Sequence, residues 1–194
     1  MSTFRAKTWI MTRVRIQTAA KLLHKGQVGV GPTDTLYGLL AKAGSRAAVE
    51  RLYEIKKRRP MKPFIILIND LDQLSHFDCY PTEEELAVLR RYWPGPSSFI
   101  LPVKDSNDLD YLTRGTGKLA FRHPNRQQLL ELIDLTGPLV APSANPEGLE
   151  PAQTVIEAET YFGDRVDFYV DDGLLPGPAS ELFELIGNDL KQLR

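Results

Sequence analysis

The sequence predicts an α/β domain with interleaved helices and strands, and three observations support this prediction. Short apolar runs typical of buried strands alternate along the chain with segments whose apolar residues recur at helical spacing. The composition, 42% hydrophobic and 25% charged, is that of a globular protein. A chain of 194 residues buries enough surface to need no disulfide or metal, and the single cysteine, Cys79, excludes an intrachain disulfide. We therefore expect one domain over residues 1–194.

Helix signals occur at five places. Ser45, Thr82 and Thr154 are each suited to cap a helix N-terminus, and Glu85 completes a capping box with Thr82. The predicted helices cover residues 13–25, the segment from Ser45 to the basic run before Pro60, residues 83–92, the segment from Pro124 to Gly137, and the segment from Thr154 to Gly163.

Short apolar runs between these helices predict strands. They lie at residues 27–31, 64–68, 97–103, 118–122, 139–142, 166–170 and 181–185. Residues 104–117 are predicted to be the longest irregular connection. Because strands and helices alternate, the helices should cover a sheet.

The sequence favours a cytoplasmic protein without a membrane partner. Its longest apolar stretch, residues 64–68, is far shorter than the ~20 residues that a membrane helix needs. The first 15 residues have scattered charges and no apolar block of signal-peptide length. A single cysteine also suits a reducing compartment.

Charge is distributed unevenly along the chain, although the net charge is only −1. Residues 1–142 hold 21 Lys and Arg against 14 Asp and Glu, whereas residues 143–194 hold 3 against 11. Chance clustering is one explanation. The other is a local positive field for phosphates or nucleic acid, with modest non-specific affinity for nucleic acid because the total charge is close to zero.

Common catalytic motifs are missing. The fragment closest to a P-loop, residues 115–118, lacks the required spacing and the following hydroxyl. The patterns G-x-S-x-G and H-E-x-x-H are absent, and the three histidines are scattered. A mechanism that depends on a triad or a histidine-bound zinc is therefore not indicated.

Polar side chains directly follow a predicted strand in the segment GPTDTLYGL, residues 31–39. One interpretation is a turn, in which Pro sets φ and the Thr and Asp side chains bond nearby amides. The other is a ligand site, because α/β proteins bind ligands where strands end. This segment alone favours neither interpretation.

Three further segments carry candidate binding groups. Residues 56–62, KKRRPMK, hold five cations that Pro60 and Pro63 should keep in place, and this favours a polyanion site over simple stabilisation of a helix C-terminus. Arg122 ends a strand, where it forms either a structural ion pair or a planar fork for a carboxylate. Residues 141–145, APSAN, supply a hydroxyl, an amide and backbone N–H groups, and by themselves are typical of a turn.

Taken in order, these segments resemble the TsaC/YrdC family of threonylcarbamoyl-AMP synthases. The family patterns P-T-[DE]-T-x-[YF]-G-[LV], K-x-R with a downstream K-P, W-P-G-P, A-x-R-x-P and S-A-N each have a match. The matching positions are Pro32 to Leu39; Lys56, Arg58, Lys62 and Pro63; Trp93 to Pro96; Ala120, Arg122 and Pro124; and Ser143 to Asn145. The resemblance runs from about residue 13 to residue 185 and is greatest to the short, single-domain bacterial members.

The resemblance implies a YrdC-like fold, a twisted mixed sheet with helices around a concave basic cavity. It implies a nucleotidyltransferase that converts L-threonine, bicarbonate or CO2, and ATP to threonylcarbamoyl-AMP and pyrophosphate, for the threonylcarbamoyladenosine modification of tRNA. Mg²⁺ is the expected cofactor with ATP, held largely by phosphate and water. The implied partners are a separate threonylcarbamoyl transferase complex and tRNA or double-stranded RNA.

The same resemblance assigns roles to ten residues. Lys56 and Arg58 are the expected catalytic residues, at the ATP phosphates. The further expected ATP ligands are Lys62, Lys118, Ser143 and Asn145. The residues expected at threonine and its carbamate are Thr33, Arg122, Ala141 and Ser180. Because the carbamate is already an anion, its attack on the α-phosphate needs positioning and charge neutralisation more than a general base, which agrees with the missing triads.

Two departures from the family pattern leave alternatives open. Glu147 stands where the family often has a hydroxyl residue, and Lys118 stands where a small hydroxyl residue is common. One alternative is a YrdC-like RNA-binding or accessory protein without synthase activity, and another is the different carbamoyl-adenylate chemistry of this fold within larger maturation proteins. The synthase is favoured by four retained residues, Lys56, Arg58, Arg122 and Ser143.

Overall fold

Nine strands form one sheet in the computed structural model, which describes residues 13–59, 61–104, 107–187 and 189–194. The expectations for the first twelve residues and for Pro60 lie outside the described residues. The strands are β1 (Gly29–Pro32), β2 (Tyr37–Lys42), β3 (Ile65–Leu67), β4 (Ser97–Pro102), β5 (Lys118–Arg122), β6 (Leu139–Val140), β7 (Phe168–Tyr169), β8 (Glu181–Ile186) and β9 (Asp189–Gln192).

The sheet is mixed, in the order β7-β1-β2-β6-β3-β5-β4-β8-β9. The pairs β1–β7, β3–β5 and β4–β8 are parallel, and the other pairs are antiparallel. Parallel pairs need crossover connections, which the intervening helices supply. The predicted α/β class with a mixed sheet is therefore confirmed.

The helices begin at the predicted caps in three cases. The Ser45 hydroxyl accepts a hydrogen bond from the Ala48 amide, Thr82 and Glu85 form a complete capping box, and Thr154 accepts from the Glu157 amide. Each cap satisfies an amide that has no partner inside the helix. The helices are α1 (Ile16–His24), α2 (Arg46–Lys56), α3 (Glu83–Tyr92), α4 (Asp110–Thr113), α5 (Gln127–Thr136) and α6 (Val155–Phe162).

Two predicted helices begin three residues later than expected. Helix α1 begins at Ile16 rather than at residue 13, because Arg13 instead forms a β-bridge with Tyr169 of β7. Helix α5 begins at Gln127 rather than at Pro124. The residues between them are tied to the polar segment after β1, because the Asn125 amide donates to Asp34 Oδ2 at 3.3 Å and Arg126 Nη1 donates to the Thr33 carbonyl at 3.3 Å. Arg126, the residue before α5, has an extended backbone, so the helix begins only after it.

Two strands and one short α-helix of the described residues were not predicted. Residues 37–42 form β2, which pairs with β1 in a hairpin, and residues 189–192 form β9 against β8. The described part of the 104–117 connection contains a 3-10 turn at Asn107–Leu109 and the short helix α4. Tyr111 of α4 is buried and its hydroxyl donates to the Ala43 carbonyl at 2.8 Å, so this part is not irregular.

Apolar side chains pack on both faces of the sheet. Along β2, Tyr37 and Leu39 enter a core under α2 and α6, whereas Leu40 enters a second core with Leu23 of α1 and Ile133 of α5. This alternation follows from the two-residue period of a strand. Each fully buried Leu contributes about 1.5–3 kcal/mol, so the two layers fix the sheet between them.

No helix in the described ranges has the length and apolar composition needed to cross a lipid bilayer.

Candidate functional site

A cavity of about 540 Å³ opens where β2, β3, β5 and β8 meet the loop after β6. Its size is within the range of small-ligand sites. Eight of the ten residues singled out in the sequence line it, namely Thr33, Arg58, Lys62, Lys118, Arg122, Ala141, Ser143 and Ser180. Lys56 and Asn145 lie behind the lining and contact Ser143.

The polar segment after β1 is both a turn and a cavity wall. The Thr33 hydroxyl donates to the Leu36 carbonyl at 2.7 Å and accepts from the amides of Thr35 and Leu36, each at 3.2 Å. Thr33 and Thr35 also line the cavity. The two interpretations of this segment are therefore compatible, because the turn chemistry is what orients its side chains.

Arg122 ends β5 as a buried cation with unused donors. Its Nη2 forms an ion pair with Asp34 Oδ1 at 3.1 Å, but the two groups are not aligned for a hydrogen bond. Both side chains are only 4% exposed. Nη1 donates to Thr35 Oγ1 at 3.4 Å, and Nε has no hydrogen-bond partner among the described residues. Burial lowers the pKa of Arg122, yet an arginine stays charged, so the unused N–H groups favour a bound anion.

The Lys56 ammonium holds the loop that follows β6. Its Nζ donates to the carbonyl oxygens of Ser143 and Asn145, each at 2.7 Å, and to Asn145 Oδ1 at 2.8 Å. Lys56 is 2% exposed, and burial lowers its pKa to about 7. In this structure the ammonium faces the loop rather than the cavity, and the predicted contact of Lys56 with phosphate stays a prediction.

Four cations form the outer part of the cavity, here called the cationic rim: Arg58, Lys62, Lys118 and Arg194. Together with Arg122, these cations line the cavity with a single carboxylate among the described residues, that of Glu184. Glu184 pairs with Lys118 at 2.7 Å. Burial lowers the pKa of Arg58, and the nearby Arg194 lowers it further. Crowded like charges of this kind are relieved when an anion binds between them.

Arg194 was missed in the sequence, which offers no motif around it. The pairing of β9 with β8 returns the chain to the cavity, where Arg194 Nε donates to the Ser180 carbonyl at 3.1 Å and its Nη2 to Ser180 Oγ at 3.4 Å. The Ser180 hydroxyl lies 3.1 Å from that of Ser98 on β4. Strand pairing thus joins a cation and two hydroxyls that are far apart in sequence.

We call Thr33, Arg122 and Ser180 the buried wall of the cavity, because they line it and are almost fully inaccessible to solvent. Asp34 lies beside Arg122 and is not among the described residues of the lining. Gly177 allows the segment that leads to Ser180 to lie against the backbone of Thr35. A Cβ at Gly177 would lie 2.8 Å from the Thr35 carbonyl oxygen, which is closer than any side chain tolerates. Only glycine permits this contact between two backbones.

The described residues contain no group of three or more His, Cys, Asp or Glu side chains arranged to hold a metal ion. The cavity donor set is instead hydroxyl, guanidinium and ammonium groups, which suit anions.

Comparison with known proteins agrees with this geometry. Residues 21–194 match a family profile, Sua5/YciO/YrdC, that is described as "Telomere recombination". A threonylcarbamoyl-AMP synthase of Bacillus subtilis (strain 168) is 37% identical over 161 residues, which cover 82% of this chain and 46% of that protein. One of Pseudomonas fluorescens (strain Pf0-1) is 30% identical over 161 residues, covering 82% of this chain and 86% of that protein.

The fold has a close match among solved structures. The crystal structure of Pyrococcus abyssi Sua5 complexed with L-threonine superposes with a TM-score of 0.85 at 32% identity, covering 95% of this chain and 56% of that one. The chain spans about half the length of the Bacillus relative and most of the Pseudomonas one. The resemblance noted in the sequence is confirmed, and the chain belongs to the Sua5/YciO/YrdC family.

Proposed function

We propose that this chain is an L-threonylcarbamoyladenylate synthase, a nucleotidyltransferase that condenses L-threonine, bicarbonate or CO2, and ATP to threonylcarbamoyl-AMP and pyrophosphate. The observation that carries the proposal is one cavity in which the buried Arg122 and the cationic rim face each other. Such a cavity suits two anionic reactants. Relatives of 30–37% identity named threonylcarbamoyl-AMP synthase support the same reaction.

Threonine would bind at the buried wall. The amino acid's carboxylate, or the carbamate made from its amine, would accept hydrogen bonds from the unused N–H groups of Arg122. The hydroxyls of Thr33 and Ser180 would contact the remaining polar groups of threonine, and Ala141 would leave space beside them.

ATP would bind along the cationic rim. Arg58, Lys62 and Lys118 would contact the triphosphate, with Arg194 as a further cation that the structure brings to the cavity. The Ser143 hydroxyl would contact the nucleotide directly. Lys56 and Asn145 would act at the same place by fixing the Ser143 loop.

The reaction would proceed without a dedicated general base. The threonine amine adds to CO2 and loses a proton to solvent to give a carbamate anion. A carbamate oxygen then attacks the α-phosphorus, and the bond from that phosphorus to the bridging oxygen of the β-phosphate breaks, so pyrophosphate leaves. The fixed cations align the anions and stabilise the charge that develops on the leaving pyrophosphate.

Mg²⁺ is proposed to arrive with ATP rather than to reside in the protein. The lining carries one carboxylate among the described residues, Glu184, and it is paired with Lys118. This donor set fits an ion held mainly by phosphate oxygens and water, and such an ion would neutralise charge on the β- and γ-phosphates.

We also propose that the product passes to a separate threonylcarbamoyl transferase complex in the cytoplasm, for modification of tRNA. Adenylates hydrolyse in water, so a partner that accepts the acyl group must act soon after synthesis.

The test measures the release of pyrophosphate from ATP in the presence of Mg²⁺, threonine and ¹³C-bicarbonate. We expect release that requires both threonine and bicarbonate, with the ¹³C label recovered in threonylcarbamoyl-AMP by mass spectrometry. An equal background rate when either is omitted contradicts the proposal. Tight binding of tRNA or double-stranded RNA in a protein without turnover would instead support the accessory role.

A further inference from the structure

Glu147 connects two segments of the site, residues 56–62 and the loop after β6. It lies in the loop after β6, where its amide donates to the Lys56 carbonyl at 3.0 Å. Its carboxylate accepts from the Arg59 amide through Oε2 at 2.9 Å, and Oε1 lies 3.5 Å from Lys62 Nζ. Glu147 is not among the described residues that line the cavity.

The two segments are joined by side chains that cross in opposite directions. From residues 56–62, Lys56 reaches the loop after β6 and binds Ser143 and Asn145. From that loop, Glu147 reaches back to Arg59 and Lys62. A crossed pair of contacts restricts both sliding and rotation of one segment against the other, which a single contact does not.

Each segment carries a candidate ATP ligand. Arg58 lies on the first and Ser143 on the second, and both line the cavity. The distance between these two ligands therefore depends on how firmly the segments are joined. The acidic residue that departs from the family pattern directs its two carboxylate oxygens to the Arg59 amide and the Lys62 ammonium.

The electrostatic environment of the Glu147 carboxylate agrees with this placement. The hydrogen bond from the Arg59 amide, followed by the charges of Lys62 and Arg58, lowers the pKa of Glu147. The carboxylate is therefore ionised at neutral pH and keeps both contacts.

We propose that Glu147 is a positioning residue, which holds the loop after β6 against residues 56–62 so that Ser143 and Arg58 bind one ATP molecule together. This inference rests on the proposed function, since it assigns ATP to these ligands. In this role, an acid at the position where the family pattern often has a hydroxyl residue would support the nucleotide site without lining the cavity.

The experiment uses the 194-residue chain and measures two quantities, ATP binding in the presence of Mg²⁺ by calorimetry and amide hydrogen exchange at Arg59. Neither measurement requires turnover. For Glu147→Ala we expect ATP affinity to fall about 10-fold, the loss of one charge-assisted hydrogen bond. We also expect faster exchange of the Arg59 amide and an unchanged affinity for L-threonine. Glu147→Gln keeps an oxygen acceptor for that amide, so it should restore slow exchange and most of the ATP affinity.

Glu150→Ala is the matched control, because Glu150 is an exposed acid three residues further along the same loop, with no hydrogen bond to the described residues. It should leave ATP affinity and Arg59 exchange unchanged. An ATP affinity of Glu147→Ala within about 2-fold of the wild type, or an unchanged Arg59 exchange rate, overturns the inference. If the wild type binds ATP yet releases no pyrophosphate, the proposed synthase fails while these two measurements still decide the role of Glu147.

Discussion

The buried wall and the cationic rim of the cavity present positive charge in different ways. Arg122 in the wall is 4% exposed, ends a strand paired on both sides, and already has Asp34 as a counterion. In the rim, Lys62 is 57% and Lys118 47% exposed, and each lies beside a single carboxylate. The wall is desolvated, whereas these two lysines of the rim are solvated and adjustable. Arg58, also in the rim, is half-buried and donates to the Lys62 and Pro63 carbonyls.

This difference indicates that the wall and the rim contribute differently to ligand binding. A buried fork with fixed geometry discriminates between small ligands, because a poor fit leaves buried polar groups unpaired. Exposed cations contribute less energy each and little geometric selection, but together they attract a highly charged ligand. Under the proposed function, the wall would bind the amino acid and the rim would bind the triphosphate.

The largest expected effect is that of Arg122→Ala. It leaves Asp34 as a buried charge without its counterion, which costs about 3–5 kcal/mol of stability. It also removes the predicted anion ligand of the wall, so turnover should fall by at least about 10-fold. Chemical denaturation and pyrophosphate release measure the two effects.

The double variant Asp34→Asn, Arg122→Ala serves as the control for stability. It removes the unpaired charge and should recover much of the lost free energy of unfolding, but none of the activity. Near-normal threonine-dependent turnover in Arg122→Ala would show that the wall does not bind the amino acid.

A smaller effect is expected for Lys56→Met, which keeps the length of the side chain but removes its donors. Three oxygen atoms of Ser143 and Asn145 then lose a hydrogen bond. The Ser143 carbonyl still accepts from the Asn145 amide, and Asn145 Oδ1 still accepts from the Ser143 hydroxyl. The Asn145 carbonyl keeps no other donor among the described residues, and a buried acceptor without a partner costs about 1–3 kcal/mol. Part of this cost is offset, since burial already lowers the pKa of Lys56 to about 7. We expect lower stability, and turnover reduced at least about 10-fold through weaker ATP binding.

The contrast with Lys62→Met sharpens this prediction. Lys62 is exposed and its ion pair spans 3.5 Å, so its loss should cost less than about 1 kcal/mol. Equal losses of stability in the two variants would contradict the difference in burial on which the comparison depends.

The smallest expected effect is that of salt on the two substrates. Raising the ionic strength from about 0.1 M to 1 M shortens the screening length from about 10 Å to 3 Å, so the KM for ATP at the exposed rim should rise severalfold. The KM for threonine should change much less, because the wall is buried. A parallel rise of both KM values in steady-state kinetics would show that the wall is as solvated as the rim.

Local signals in the sequence predicted the parts of the fold that depend on neighbouring residues. The caps at Ser45, Thr82 and Thr154 are confirmed, since a cap acts only on the next turn of helix. Strands β1, β3, β4, β5 and β8 also lie within one or two residues of their predicted bounds. The motif order placed eight candidate residues around one cavity.

Contacts between distant segments could not be predicted in this way. The residues just before α5 contact Asp34 and Thr33, which lie about ninety residues earlier in the chain. Arg194 reaches the site only through the pairing of β9 with β8, and no local pattern marks it. The orientation of Lys56 toward the loop after β6 likewise depends on carbonyl oxygens that a sequence does not display.

The meeting of Gly177 with the Thr35 carbonyl bears on how the protein could be re-engineered. Two main chains set this separation, and Ser180 follows three residues later. Replacing nearby side chains by smaller ones would therefore not enlarge this end of the cavity enough to admit a bulkier amino acid. A longer connection before β8 would be the change that makes room.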